Sequence, residues 1–209
     1  FNEDDFNSGN GAGSIKVDDT ITGLKVFRDS LFIFCQDRIF KLTGNSSSSF
    51  VIAPVSRTLG CLDNFSIQEI GGDLVFLGPD GIRTVQGTAR IGDTELGVVS
   101  KAIQRRFQNI SLDRISSVVI RDKSQYRIFR PTTGATEVSS EGIIGVIKAN
   151  PQGQIGWEWS EIKGIKPSCA DSQFINDDEL VVHGGFDGFV YKQESGNTFA
   201  GTNIQASYR

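Results

Sequence analysis

One pattern of residues, used three times, limits what this chain can fold into. In residues 71–87 two apolar runs, Leu74-Val75-Phe76-Leu77 and Ile82-Arg83-Thr84-Val85, meet at Pro79-Asp80-Gly81. Pro presets φ at the first corner of a turn and Gly accepts a positive φ, so the chain must reverse there into a β-hairpin. Residues 28–44 and 178–191 repeat the order of acidic residue, Leu, apolar strand, turn with Asp, and apolar or aromatic strand. Asp29, Asp73 and Asp178 hold one place in this repeat, and Asp37, Asp80 and Asp187 hold another. A lone hairpin is marginal in water, so the copies must stack on one another.

Between these hairpins the alternation of apolar and polar residues fills out four meanders. The first places strands near Ile21, Leu31, Ile39 and Phe50, with Asn45-Ser46-Ser47-Ser48-Ser49 as an exposed connection. The second begins near Phe65 and passes through the Pro79-Asp80-Gly81 hairpin. The third runs through Ser117, Tyr126, Ile143 and Ile155, and the fourth starts near Ser168 and uses the Asp187-Gly188 turn. A period of roughly 42 to 52 residues suits propeller blades of four strands better than a closed barrel. The expected fold is therefore all-β, an irregular or partial β-propeller of four-stranded antiparallel meanders.

One helix is expected to interrupt it, between Thr94 and Phe107. Asp93 or Thr94 can cap it, and Leu96, Val99, Ile103 and Phe107 follow the three-four spacing of one apolar stripe. Lys101, Arg105 and Arg106 lie on or beside its polar face, where they can meet an acidic partner or a phosphate or remain solvated, and they are the candidate subunit contacts. Residues 1–14 are acidic, then glycine-rich, and are expected to form a loop or linker ahead of a propeller domain over residues 15–209. Their glycines lack the flanking strand, helix and Gly-Lys-Ser/Thr ending of a phosphate loop. Asp4, Asp5 and Asn7 lack the spacing of a calcium loop.

Fifteen Phe and 24 Gly against five Pro fit many short strands with glycine turns. A formal charge of −4 disfavours gripping nucleic acid by phosphate neutralisation, although DNA could still pass along such a surface. Cys35, Cys61 and Cys169 are odd in number and far apart, and are expected to be buried reduced thiols. No apolar run reaches the ~18 residues that cross a bilayer as a helix. Met is absent throughout, and the chain is expected to be a piece of a longer polypeptide.

His183 is the only histidine, which gives little support to a metal site of several imidazoles or to a Ser-His-Asp relay; strand packing is its expected role. The acids repeated at one structural place, Asp37, Asp80 and Asp187, are expected to do turn chemistry together with Gly81 and Gly188, accepting backbone N–H groups within the corner. Paired carboxylates for glycan cleavage would need one unit to differ from the others. Trp157 and Trp159, two apart on a strand, point to one face, either as a sugar platform or, as expected here, as packing against a neighbouring sheet. No catalytic residue, cofactor or metal is assigned.

Several stretches nonetheless resemble a known family. Residues 71–101, then Gly156-Trp157-Glu158-Trp159, Lys163-Gly164-Ile165-Lys166-Pro167-Ser168-Cys169-Ala170-Asp171 and His183-Gly184-Gly185-Phe186-Asp187-Gly188-Phe189-Val190-Tyr191, are similar to β-propeller tail proteins of short-tailed bacteriophages. These are the tail nozzle, or tubular protein B, and the tail hub, or stabilisation, proteins. The resemblance implies a virion component assembled in the host cytoplasm. It would form a homo-oligomeric ring, six-fold, below the portal and adaptor, around the channel through which double-stranded DNA is held and ejected. An acidic wall would repel phosphates there. It implies no enzymatic activity and no stable membrane insertion. The alternative from another class is a carbohydrate-binding or glycan-cleaving propeller of a receptor-recognition tail protein.

Overall fold

The computed structural model describes residues 14–46, 48–86, 98–107, 115–133, 138–149, 155–162, 164–196, 198–199 and 202–203. Their strands form consecutive antiparallel sheets, each a meander in chain order. The first sheet holds β1 (Ile21–Val26), β2 (Leu31–Cys35), β3 (Ile39–Thr43) and β4 (Val51–Ser56). The second holds β5 (Gln68–Ile70), β6 (Asp73–Gly78) and β7 (Gly81–Thr84). The third holds β8 (Ser116–Ile120), β9 (Gln125–Thr133), β10 (Val138–Ala149) and β11 (Ile155–Ile162). The fourth holds β12 (Pro167–Ile175), β13 (Asp178–Gly185) and β14 (Val190–Lys192). A short ladder of β15 (Thr198–Phe199) and β16 (Thr202–Asn203) follows. The all-β class and four sheet units match the sequence expectation, while among the described residues the second and fourth sheets carry three strands rather than four. The expected linker over residues 1–14 lies outside the described residues except for Ser14.

Side chains alternate across a strand, so a sheet buried on both faces shows an unbroken apolar run. In β6, Leu74 and Phe76 pack with Phe32, Phe34 and Ile39 of the first sheet, whereas Val75 and Leu77 pack with Val119, Tyr126 and Ile128 of the third. In the third sheet Val118, Ile120 and Phe129 turn the other way and pack with Val181 of the fourth. Three apolar cores thus lie between four successive sheets. The sheets also meet along their leading strands. β8 runs beside β5 and β12, and the 3-10 turn Asn64–Ser66 touches β1 and β8.

Each leading hairpin turns tightly through a positive-φ residue, placed at Arg28, at Gly71 and Gly72, at Ser124, and at Asn176 and Asp177. The paired positive φ values at Gly71-Gly72 and Asn176-Asp177 close two-residue loops, whose twist suits the flanking strands. Polar bonds reinforce the stack. The buried Tyr126 hydroxyl donates to the Ser66 carbonyl at 2.9 Å, and burial pushes this phenol well above its ordinary range. Ser172 Oγ donates to the Val119 carbonyl at 2.5 Å, and both Glu179 oxygens accept from the amides of Arg121 and Asp122.

The first sheet differs from the interior ones in having one face that no sheet of the described residues covers. With Phe32 and Phe34 turned toward the second sheet, the register sets Leu24, Ile33, Phe40 and Pro54 in one row of the opposite face, and Val26, Leu31, Leu42 and Ile52 in the next. All eight are apolar.

Candidate functional site

The corner acids occupy similar places in the sequence but are held differently. Asp80 lies between β6 and β7, where its carboxylate takes a fork from Arg83, Nε to Oδ1 at 2.7 Å and Nη2 to Oδ2 at 2.5 Å. The Arg83 side chain is fully buried and that of Asp80 is 33% exposed, so the pair ties the hairpin corner to the interior. Asp187 accepts the Phe189 amide at 3.2 Å, a bond within its own corner, and also the Tyr191 hydroxyl at 2.5 Å. These bonds hold its carboxyl below the usual range. At the third corner the Asp37 amide donates to Asp19 Oδ2 at 3.1 Å, so the acid that receives a backbone N–H there is Asp19. Asp73 accepts the amides of Leu74 and Gln86, pinning the start of β6 to the residues after β7. Burial raises its carboxyl above the ordinary range, against those bonds.

Arg83 and Asp19 were not singled out from the sequence. The signal for Arg83 was present, an arginine inside an apolar strand three residues after a corner acid. For Asp19, which closes a turn from 18 residues away, there was none.

Gly81 and Gly188 both have positive φ, +135° and +84°. At Gly81 a Cβ would also lie 2.5 Å from Ser100 Oγ. Ser100 is buried and its hydroxyl accepts the Ile82 amide at 2.9 Å. This contact explains what becomes of the expected helix. In the described part of residues 94–107, Val98 bridges to Arg83, and the Val99 amide donates to the Ile82 carbonyl at 2.9 Å. A short 3-10 helix then covers Lys101–Phe107, with non-helical φ and ψ of −122° and 21° at Ile103. Residues 94–97, and with them the cap and the first turn of that expectation, lie outside the described residues. The outer edge of β7 takes the backbone of Val98 and Val99 and the hydroxyl of Ser100, so over these residues tertiary pairing overrides the helical spacing.

All three basic residues on this segment, Lys101, Arg105 and Arg106, are exposed. Arg106 pairs with Glu161 of β11, and its carbonyl accepts from Arg130. They therefore do not form one free basic patch. Trp157 and Trp159 stack on each other with centroids 5.3 Å apart and planes 14° from parallel. They lie across Gly145, where a Cβ would sit 2.6 Å from the Trp159 ring, and they pack on the core between the second and third sheets. Trp159 Nε1 donates to the Val99 carbonyl at 2.8 Å, which fastens the inserted segment to β11. The pair packs as the sequence suggested.

His183 is buried, stacked on Tyr191 at 5.2 Å, and its Nδ1 has no hydrogen-bond partner among the described residues. Desolvation pushes its imidazole below the ordinary range, with Asp187 opposing part of the effect. Cys35 and Cys61 are buried, but Cys169 is exposed, contrary to the expectation of three buried thiols. The alternation of β12 turns Ser172 toward the third sheet and places Cys169 on the other face, opposite Gly184. Among the described residues no group of three or more His, Cys, Asp or Glu could hold a metal ion, and no helix is long and apolar enough to cross a membrane.

Comparison with family profiles gives no match to this chain, and no curated protein matches it. What the geometry offers is a set of braced corners and sheet interfaces, with the carboxylates of Asp19, Asp73, Asp80 and Asp187 engaged in structural bonds.

Proposed function

We propose that the chain is a structural component of a short-tailed phage tail, a nozzle or hub subunit whose four sheets are successive blades of a β-propeller. The observation that carries this reading is the serial stack itself. Sheets built in chain order, cores between each neighbouring pair, and leading strands side by side are the relations that blades have around a shared centre. The sequence resemblance supplies the setting, a homo-oligomeric ring joined to an adaptor and enclosing the path of double-stranded DNA. Exposed Lys101 and Arg105, held out by a segment fastened at Trp159, are the proposed contacts with a neighbouring copy.

Native mass spectrometry tests the ring. A six-fold assembly is expected, and Lys101→Glu with Arg105→Glu is expected to shift it to smaller species. A protein that stays monomeric at high concentration and fails to join an adaptor ring would refute the reading.

A glycan-binding function has one observation in its favour, the exposed Phe189 beside Tyr191 and Asp187 at the corner of the fourth sheet. It predicts that Phe189→Ala abolishes retention on a glycan array; absence of any retained glycan removes it.

A further inference from the structure

The uncovered face of the first sheet is built like an interface. Its two rows of apolar side chains run across all four strands, with no charge or hydrogen-bonding side chain among them. Ile33 at the centre is only 7% exposed, sheltered by Leu24 and Phe40 on either side, whereas Leu24 is 54% and Val26 71% exposed. The patch is on the order of 500 Å², within the range of the largest apolar patch on an ordinary monomer, which is often a functional one. In this chain the second and third sheets, which also have two apolar faces, are covered on both.

We propose that this face docks on its counterpart in a second copy of this chain, as a two-fold sheet-on-sheet contact. An uncharged face needs an uncharged partner, since any ion or amide brought against it would lose water without gaining a bond. The other end of the stack does not qualify. On the outward face of the fourth sheet, Asp171 and Lys192 flank Val182 in one row and Gln173 stands in the next, all exposed. Packing the first sheet of one copy on the fourth of another would bury those groups against hydrocarbon. Self-contact buries apolar side chains only, and a two-fold axis presents the same patch from both copies. Two such patches together reach about 1,000 Å², the lower limit for a specific interface, so the dimer forms and dissociates with concentration.

The contact does not rest on the tail reading, and it leaves the surface around Lys101 and Arg105 untouched. Sedimentation velocity over a concentration series tests it, with wild type beside Val26→Lys and Leu24→Ser. Wild type is expected to move from monomer to dimer. Val26→Lys is expected to weaken that step by at least tenfold, with circular dichroism and melting unchanged because Val26 is exposed. Hydrogen exchange of the wild type gives a second readout, with β1 and β3 amides slowing as concentration rises. A wild type that remains monomeric, or a dimer that neither substitution weakens, would overturn the proposal. Rings whose size Val26→Lys leaves unaltered, with no dimer step, would overturn it while leaving the tail reading intact.

Discussion

Replacing Asp80 with Ala removes both acceptors of the Arg83 fork and leaves a fully buried guanidinium without its carboxylate. Removing one partner of a buried ion pair costs about 3–5 kcal/mol, because the remaining charge keeps its desolvation penalty. Asp80 is a third exposed, so water reaches the vacated place and takes over part of its role. The expected loss is therefore about 2–3 kcal/mol. On a chain of 209 residues this lowers the melting temperature by about 5–10 °C. Urea unfolding followed by tryptophan fluorescence measures it directly, since Trp159 is bonded to the segment that lies against β7. Asp80→Asn, which keeps one neutral acceptor, is expected to lose less. The double variant Asp80→Ala with Arg83→Met is expected to be more stable than Asp80→Ala alone, because it also removes the buried charge. An Asp80→Ala midpoint within about 0.5 kcal/mol of wild type, or a double variant no better than the single one, would show that the fork does not brace this corner.

Three further outcomes follow from the same geometry. His183 is held neutral by burial, with a folded pKa below the ordinary 6.5, so its contribution is fully present above pH 6.5 and is lost as pH falls toward the lowered value. The stability difference between pH 7.5 and 5.5 is expected to shrink in His183→Asn, and an unchanged difference would contradict the burial of a neutral ring. Of the three thiols, only Cys169 is expected to react with a disulfide reagent under native conditions, since Cys61 is buried and its thiol is pushed up to about 11, and Cys35 is also buried and raised. More than one fast-reacting equivalent would refute this. Gly81→Ala is expected to cost at least 1 kcal/mol or so, from a φ of +135° and the Ser100 contact, whereas Gly188→Ala meets no neighbour within 4 Å and loses only through its φ. Equal losses at the two glycines would leave no role for Ser100.

Much of this architecture was legible because the forces that set it act locally. Short apolar runs and turn residues located the strands of the third sheet, and the Pro79-Asp80 corner falls between β6 and β7 where the residue types require it. Of the expected helix, Lys101–Phe107 is helical as a 3-10 segment, whereas Val98 and Val99 pair with the edge of β7, a partner distant in sequence that has no local signature. The corner acids were read as equivalent because they share a place in the repeat. Their partners depend on what each corner faces: a buried arginine at Asp80, and a half-buried tyrosine and an amide at Asp187. Cys169 shows the same limit, since which face of β12 is covered is decided by the third sheet.

We propose that these sheets are blades of a ring-forming structural protein of a virion. Electron-microscopic averages of the purified protein test it most directly. End-on views of rings with an open axial channel, each subunit showing radial sheets around its own centre, are the predicted result. Isolated particles in which the four sheets form one flat sandwich, with no ring at any concentration, would contradict it.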